Sequence, residues 1–146
     1  MLNSNAETHF SFTNALGLVP AEQVRALVAV TRRFPRAAWL VALHHHVVEY
    51  PQRTKALSER IGTALINGSW FVRQVRHLSG RLVVMHGHRH VDWIGTCGGM
   101  TIVSAPSPVM DANIAGETAF YIHTLARKAE ADLVLLQPSR IAVMPE

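Results

Sequence analysis

Two short apolar runs, AAWLVAL at 37–43 and RLVVM at 81–85, each lead straight into histidines. A continuous apolar run of this length is the pattern of a strand buried on both faces, as in a sheet between two layers. The first run continues into His44, His45 and His46, the second into His86, His88 and His90. Six of the nine histidines therefore sit at the C-terminal ends of two expected strands, the end at which open α/β sheets assemble their sites.

The rest of the chain fits around those strands. Pro20 is suited to open a helix in which Val24, Leu27, Val28 and Thr31 share one face, ending near Phe34 and Pro35. Leu57, Ile61, Ala64 and Leu65 mark a second helix, stopped at Asn67 and Gly68. Ser69 is placed to cap a third, with Phe71, Val75 and Leu78 inward and Gly80 at its end. Beyond it, VDWIGTC and MTIVSA flank Gly98 and Gly99 as a hairpin, and ETAFYIHTLA is expected to pair with ADLVLLQ across a turn near Lys128. Pro106, Pro108 and Gly116 place a loop between the two hairpins. Helices and strands that alternate and then give way to strands predict a layered α/β protein with an antiparallel C-terminal part.

At 146 residues and 49% hydrophobic, the chain has the size of one globular domain or a large piece of one. A net charge of +4 admits an anionic ligand, but the arginines recur along predicted helices as a solvated face would have them. Trp39, Trp70 and Trp93 fall in core or strand positions rather than among basic residues, so nucleic-acid binding is not expected. The single cysteine, Cys97, excludes an intrachain disulfide framework and fits a reducing compartment. No signal-like start is present and no apolar run is long enough to span a bilayer, so a soluble, cytoplasmic protein is expected.

In an extended segment alternate side chains share a side, so His88 and His90 are expected to face one cavity with Arg89 turned away, and Gly87 to ease the backbone into the site. His44, at the neighbouring strand end, is the natural further ligand for a metal ion. The competing explanations are polar residues satisfied at strand ends and a fragment of a histidine tag. For His9, His77 and His123 the first of these is preferred. For the two clusters, their coincidence at two strand ends favours metal binding.

The LHHH segment and the later Gly87-His88-Arg89-His90 segment, with His44 and His88 separated by 44 positions, resemble the last two motifs of the calcineurin-like metallophosphoesterases. In that family one strand ends in H-H-x-P and a later one in G-H-x-H. The second motif is complete here; in the first, Val47 follows His46 and the proline is missing. SAPS at 104–107 and the strand GETAFYIHTL also resemble the C-terminal hairpins of the family. The resemblance implies the C-terminal half of a layered αββα sandwich, a mixed sheet with antiparallel C-terminal hairpins. It also implies that His44 and His88 bind one metal ion, that His90 binds a second, and that His45 lines the pocket. Ser104 and Ser107 have no comparable claim.

The three earlier motifs of the family, D-x-H, G-D-x-x-D and G-N-H with an acidic residue, do not occur in this sequence. Residues 1–146 are therefore expected to form one partial domain without the N-terminal metal-binding motifs. The resemblance then implies hydrolysis of phosphate mono- or diesters by the complete domain, with two divalent ions such as manganese, iron or zinc, and one or none in this chain. Asp92 and Glu49 are the carboxylates available to stand in for a missing ligand, although exposed loop positions explain them more simply. Self-association, or association with the missing half, is expected of a sheet left with an open edge. The alternative is a catalytically inactive half-domain serving as a metal-binding or oligomerisation module.

Overall fold

The computed structural model describes residues 1–5, 16–49, 65–109, 117–128 and 132–144. Helix α1 (Ala21–Arg33) begins after Pro20, whose φ of −54° needs no adjustment for a helix start, and it buries Val24 and Thr31 as its periodicity predicts. The helix expected around Leu57, Ile61 and Ala64 lies outside the described residues. Helix α2 (Gly68–Val75) follows Asn67, and Phe71, Val75 and Leu78 are fully buried. Ser69 does not cap it. Instead, Asn67 uses both side-chain groups on Val19, accepting from its N–H at 3.2 Å and donating to its carbonyl at 2.7 Å.

The central sheet contains β1 (Trp39–Ala42), β2 (Leu82–His86), β3 (Trp93–Cys97) and β4 (Met100–Ser104) in the order β1-β2-β4-β3. Strands β1, β2 and β4 run parallel, with Val41 opposite Val84 and Met85 opposite Val103. Strand β3 returns antiparallel to β4, Cys97 facing Met100, through Gly98 and Gly99 with φ of 57° and 80°. Two successive left-handed residues are what a two-residue hairpin loop requires, so the predicted hairpin holds.

One face of the sheet (Val41, Leu82, Val84, Met100 and Ile102) forms the core with Val24, Phe71, Val75 and Leu78. Val83 and Val103 point to the other face and are also buried, so β2 is covered on both sides as read, and β4, expected only as a hairpin arm, is covered as well. Strand β1 is not: Leu40 is 51% exposed, because β1 lies at the sheet edge where only its Val41 face meets the helices.

The C-terminal strands pair differently from expectation. Strand β5 (Thr118–Ile122) pairs with β8 (Ser139–Val143), and β6 (Leu125–Lys128) with β7 (Asp132–Leu135). The ETAFYIHTLA segment is divided at His123 and Thr124, and only its second part meets ADLVLLQ. Pro138 has no N–H to continue a ladder, so the returning chain breaks there and restarts against β5. The architecture is thus mixed α/β with a mixed sheet and antiparallel C-terminal strand pairs. Among the described residues no helix is long and apolar enough to cross a membrane.

Candidate metal centre

Because β1 and β2 are parallel neighbours in register, their C-terminal ends deliver residues 43–46 and 86–90 to one place. The ladder continues past the strands: Leu43 N–H donates to the Met85 carbonyl at 3.0 Å, and Gly87 N–H to the His44 carbonyl at 3.1 Å. His44 and His88 are thereby brought together as the sequence predicted, with His44 Nε2 2.8 Å from His88 Nδ1. His45 completes the group, and one nitrogen from each of the three lies within 4.8 Å of the others. Three nitrogens at about 2.0–2.1 Å from a tetrahedral ion stand about 3.4 Å apart, so small ring rotations would fit this trio to one cation.

His88 reaches the group by a route that simple alternation does not describe. Strand β2 ends at His86, and Arg89 N–H donates to the Gly87 carbonyl at 2.9 Å, which centres a γ-turn on His88. His88 accordingly has φ of 68°, the sparsely populated left-handed form, and His90 follows with φ of 52°. The segment is therefore not extended, and His88 and His90 do not share a side through strand alternation. His90 lies outside the trio. Gly87 does not carry the turn: its φ is not left-handed, and a Cβ there would meet nothing within 4 Å.

Two residues that sequence reasoning did not single out hold His45. Ser4, 1% exposed, accepts at Oγ from the backbone N–H of His44 and of His45, both at 3.2 Å, and lies 3.0 Å from His45 Nδ1. The two accepted N–H bonds occupy both lone pairs of Ser4 Oγ, so its hydroxyl donates to His45 Nδ1 and the ring proton of the metal-free chain sits on Nε2. Gly17 closes the other side, where any Cβ would fall 2.3 Å from His45 Cγ. Neither Ser4 nor Gly17 carries a local pattern in the sequence that marks it.

The electrostatics suit ligation. Burial, reinforced by the positive charge that His88, His44 and His46 would carry, lowers the His45 pKa to about 4. His46 and His86 are likewise held at about 4, first by burial and then by Arg89 and His88 in the first case and by His46 in the second. His45 is therefore neutral at pH 7, as coordination requires.

Neither candidate carboxylate joins the trio. Glu49 lies 3.9 Å from His46 Nε2 and 4.0 Å from Arg89, and Asp92 accepts a 2.5 Å hydrogen bond from the Tyr121 hydroxyl. Among the described residues, no acidic side chain belongs to the histidine group. His77 is satisfied as expected, with Nδ1 3.0 Å from the Gln74 carbonyl and Nε2 3.3 Å from Thr31 Oγ1. His123 departs from that expectation: its Nδ1 is buried with no hydrogen-bond partner among the described residues. His9 lies outside them. Beside His44 opens a cavity of about 520 Å³ bordered by Leu2, Asn3, Ser4 and Asn5.

No protein-family model matches this chain, and no curated protein matches it.

Proposed function

We propose that the chain carries part of the active centre of a metal-dependent phosphoesterase, with His44, His45 and His88 holding one divalent first-row ion. The observation that carries this reading is the convergence of three imidazoles from two parallel strand ends, one of them neutral by burial and backed by a buried serine. Imidazole suits zinc and iron, whereas manganese is better served by carboxylate and water ligands. Such an ion supplies Lewis-acid charge to a phosphoryl oxygen and acidifies bound water. The chain's own residues supply the rest: Ser4 holds the His45 ring in place, and the cavity beside His44 has the volume of a small-molecule site. His90 is assigned to a second ion, completed by carboxylates from the region that carries the family's earlier motifs. Mono- and diesters of phosphate are the substrate class.

Zinc titration with elemental analysis tests the ion site. One zinc per chain is expected, weakened at least about tenfold by His88→Ala; an unchanged stoichiometry and affinity in that variant would refute the trio. Pairing the chain with a segment that carries the three earlier motifs of the family and assaying p-nitrophenyl phosphate and its bis-ester with manganese or zinc tests the chemistry, and absence of metal-dependent hydrolysis would refute the esterase assignment.

A second reading, an assembly module without turnover, is favoured by a different observation. Phe120, Ile122, Ile141 and Val143 occupy one face of the β5–β8 ribbon and are 42%, 54%, 37% and 37% exposed. Such a face is suited to burial against another copy of the chain. Light scattering that found a monomer at tens of micromolar would remove this support for self-association.

A further inference from the structure

Four arginines from separate parts of the chain meet around the turn that joins α1 to β1. Arg33 ends α1, and its guanidinium carbon lies 6.0 Å from the centre of the Phe34 ring. Arg36 sits in the turn itself, which is closed by Ala37 N–H donating to the Phe34 carbonyl at 3.0 Å. Arg81, just before β2, donates to the Pro35 carbonyl, and Arg127 of β6 donates to the Arg36 carbonyl at 3.4 Å. Among the described residues, Arg33, Arg36 and Arg81 form no ion pair. The hairpin end beside Arg127 adds Lys128 against Asp132 and, by sequence, Glu130, which leaves five cations against two carboxylates. Compensation of the α1 dipole accounts for Arg33 alone, since the other three arginines lie beyond the helix. Two apolar side chains are exposed within the same cluster. Val30 and Phe34 stand one turn apart, Phe34 N–H donating to the Val30 carbonyl at 3.2 Å, and they are 43% and 52% exposed.

We infer that this turn docks the protein on an anionic lipid surface, its guanidinium groups on the headgroups and Phe34 at the acyl boundary. A membrane interface offers both kinds of partner together: anionic headgroups for the arginines and hydrocarbon for a valine and a phenylalanine. A nucleic-acid strand would pair with the arginines but leave Val30 without a counterpart, and its successive bases need more stacking surface than one ring provides. The orientation follows from the sheet. Strands β1 and β2 start beside this turn and end at the histidines. The seven residues from Ala37 to His44, at about 3.3 Å each, therefore set the trio roughly 20 Å from the lipid. Docking in this way leaves the trio open to water and requires no metal there.

Co-sedimentation of the full chain with lipid vesicles, EDTA present throughout, tests the inference. At about 0.15 M salt, binding is expected to phosphatidylcholine vesicles that carry about 30% phosphatidylserine, and not to phosphatidylcholine alone. It should fall steeply towards about 1 M salt, where the Debye length shrinks to about 3 Å. Each cation beside such a surface is worth about fivefold in affinity, so Arg33→Gln combined with Arg36→Gln should weaken binding about 25-fold. Both side chains are exposed, and an unchanged melting temperature checks that the variant folds. Should it fold poorly, Phe34→Ala should weaken binding about fivefold by removing the apolar contact. Phe34→Trp should keep it, with tryptophan fluorescence shifted to the blue on the serine-lipid vesicles. Equal sedimentation with both kinds of vesicle, or full binding by a folded arginine or alanine variant, would overturn the inference. So would binding of a single-stranded oligonucleotide without binding of the vesicles, which would make nucleic acid the partner of this cluster.

Discussion

Replacing Gly17 by alanine probes the trio without touching a ligand. The new Cβ would stand 2.3, 2.4 and 2.7 Å from Cγ, Nδ1 and Cβ of His45. Carbon contacts settle near 3.5–4.0 Å, so the ring must retreat by more than about 1 Å or the backbone of residue 17 must. The backbone is pinned, since its carbonyl accepts from Ile66 N–H at 2.8 Å and it bridges Leu65. The contact falls on the root of the His45 side chain, where a rotamer change gives little relief. His45 is therefore expected to swing off Ser4 and out of the group. Overpacking of this kind costs about 1–3 kcal/mol of stability. Supporting residues around a metal cost about 10–100-fold in affinity when lost, so displacement of a ligand itself should reach the upper end, about 100-fold. Competition of zinc against a chromophoric chelator, with thermal unfolding of the metal-free chain alongside, measures both effects. Gly87→Ala is the matched control, because a Cβ there meets nothing; it should leave zinc affinity intact and raise stability by about 0.4–1 kcal/mol. If Gly17→Ala bound zinc as tightly as the parent, His45 would not be a ligand and the geometry of the trio would be misread.

Ser4→Ala should lower zinc affinity by about 10-fold through loss of the hydrogen bond that positions the His45 ring. It should also destabilise the metal-free chain by about 1–3 kcal/mol, because two backbone N–H groups lose their acceptor; a melting temperature and zinc affinity both matching the parent would contradict this. Acid should unfold the metal-free protein early. His45, His46 and His86 titrate near 4 when folded and near 6.5 when unfolded. Between those values the unfolded chain binds more protons, so stability is complete above pH 6.5, falls as pH drops towards 4 and levels off below. The loss over that window should amount to a few kcal/mol, shared among neighbours that repel one another once charged. Urea midpoints that stay flat from pH 7 to pH 4.5 would refute it. Gly99→Ala should destabilise the β3–β4 turn by about 1 kcal/mol or more, since its φ is 80° and a Cβ would collide with Ser79 Oγ; a chemical unfolding curve reads this directly.

How far the sequence could carry these conclusions depends on where each piece of geometry comes from. His44 and His88 were legible as partners because strand direction alone decides which ends lie together, and continuous apolar runs reveal buried parallel strands. The position of His90 was not legible, because it depends on backbone dihedrals at two consecutive histidines rather than on period. A γ-turn leaves no trace in hydropathy, and histidine at positive φ looks like histidine anywhere else. Alternation was the wrong rule there precisely because the strand had already ended at His86. The pairing of β5 with β8 escaped notice for a related reason: an apolar stretch says that a strand exists, whereas its partner is decided by the break at Pro138. Ser4 and Gly17 belong to a third kind. Each meets His45 across more than twenty-five positions of chain, and only the folded arrangement makes a small residue at one and a hydroxyl at the other matter. The ligands of a site can thus be announced by local pattern while the residues that set their position are not, which is why substitutions at Ser4 and Gly17 discriminate between a built metal site and three histidines that merely lie close.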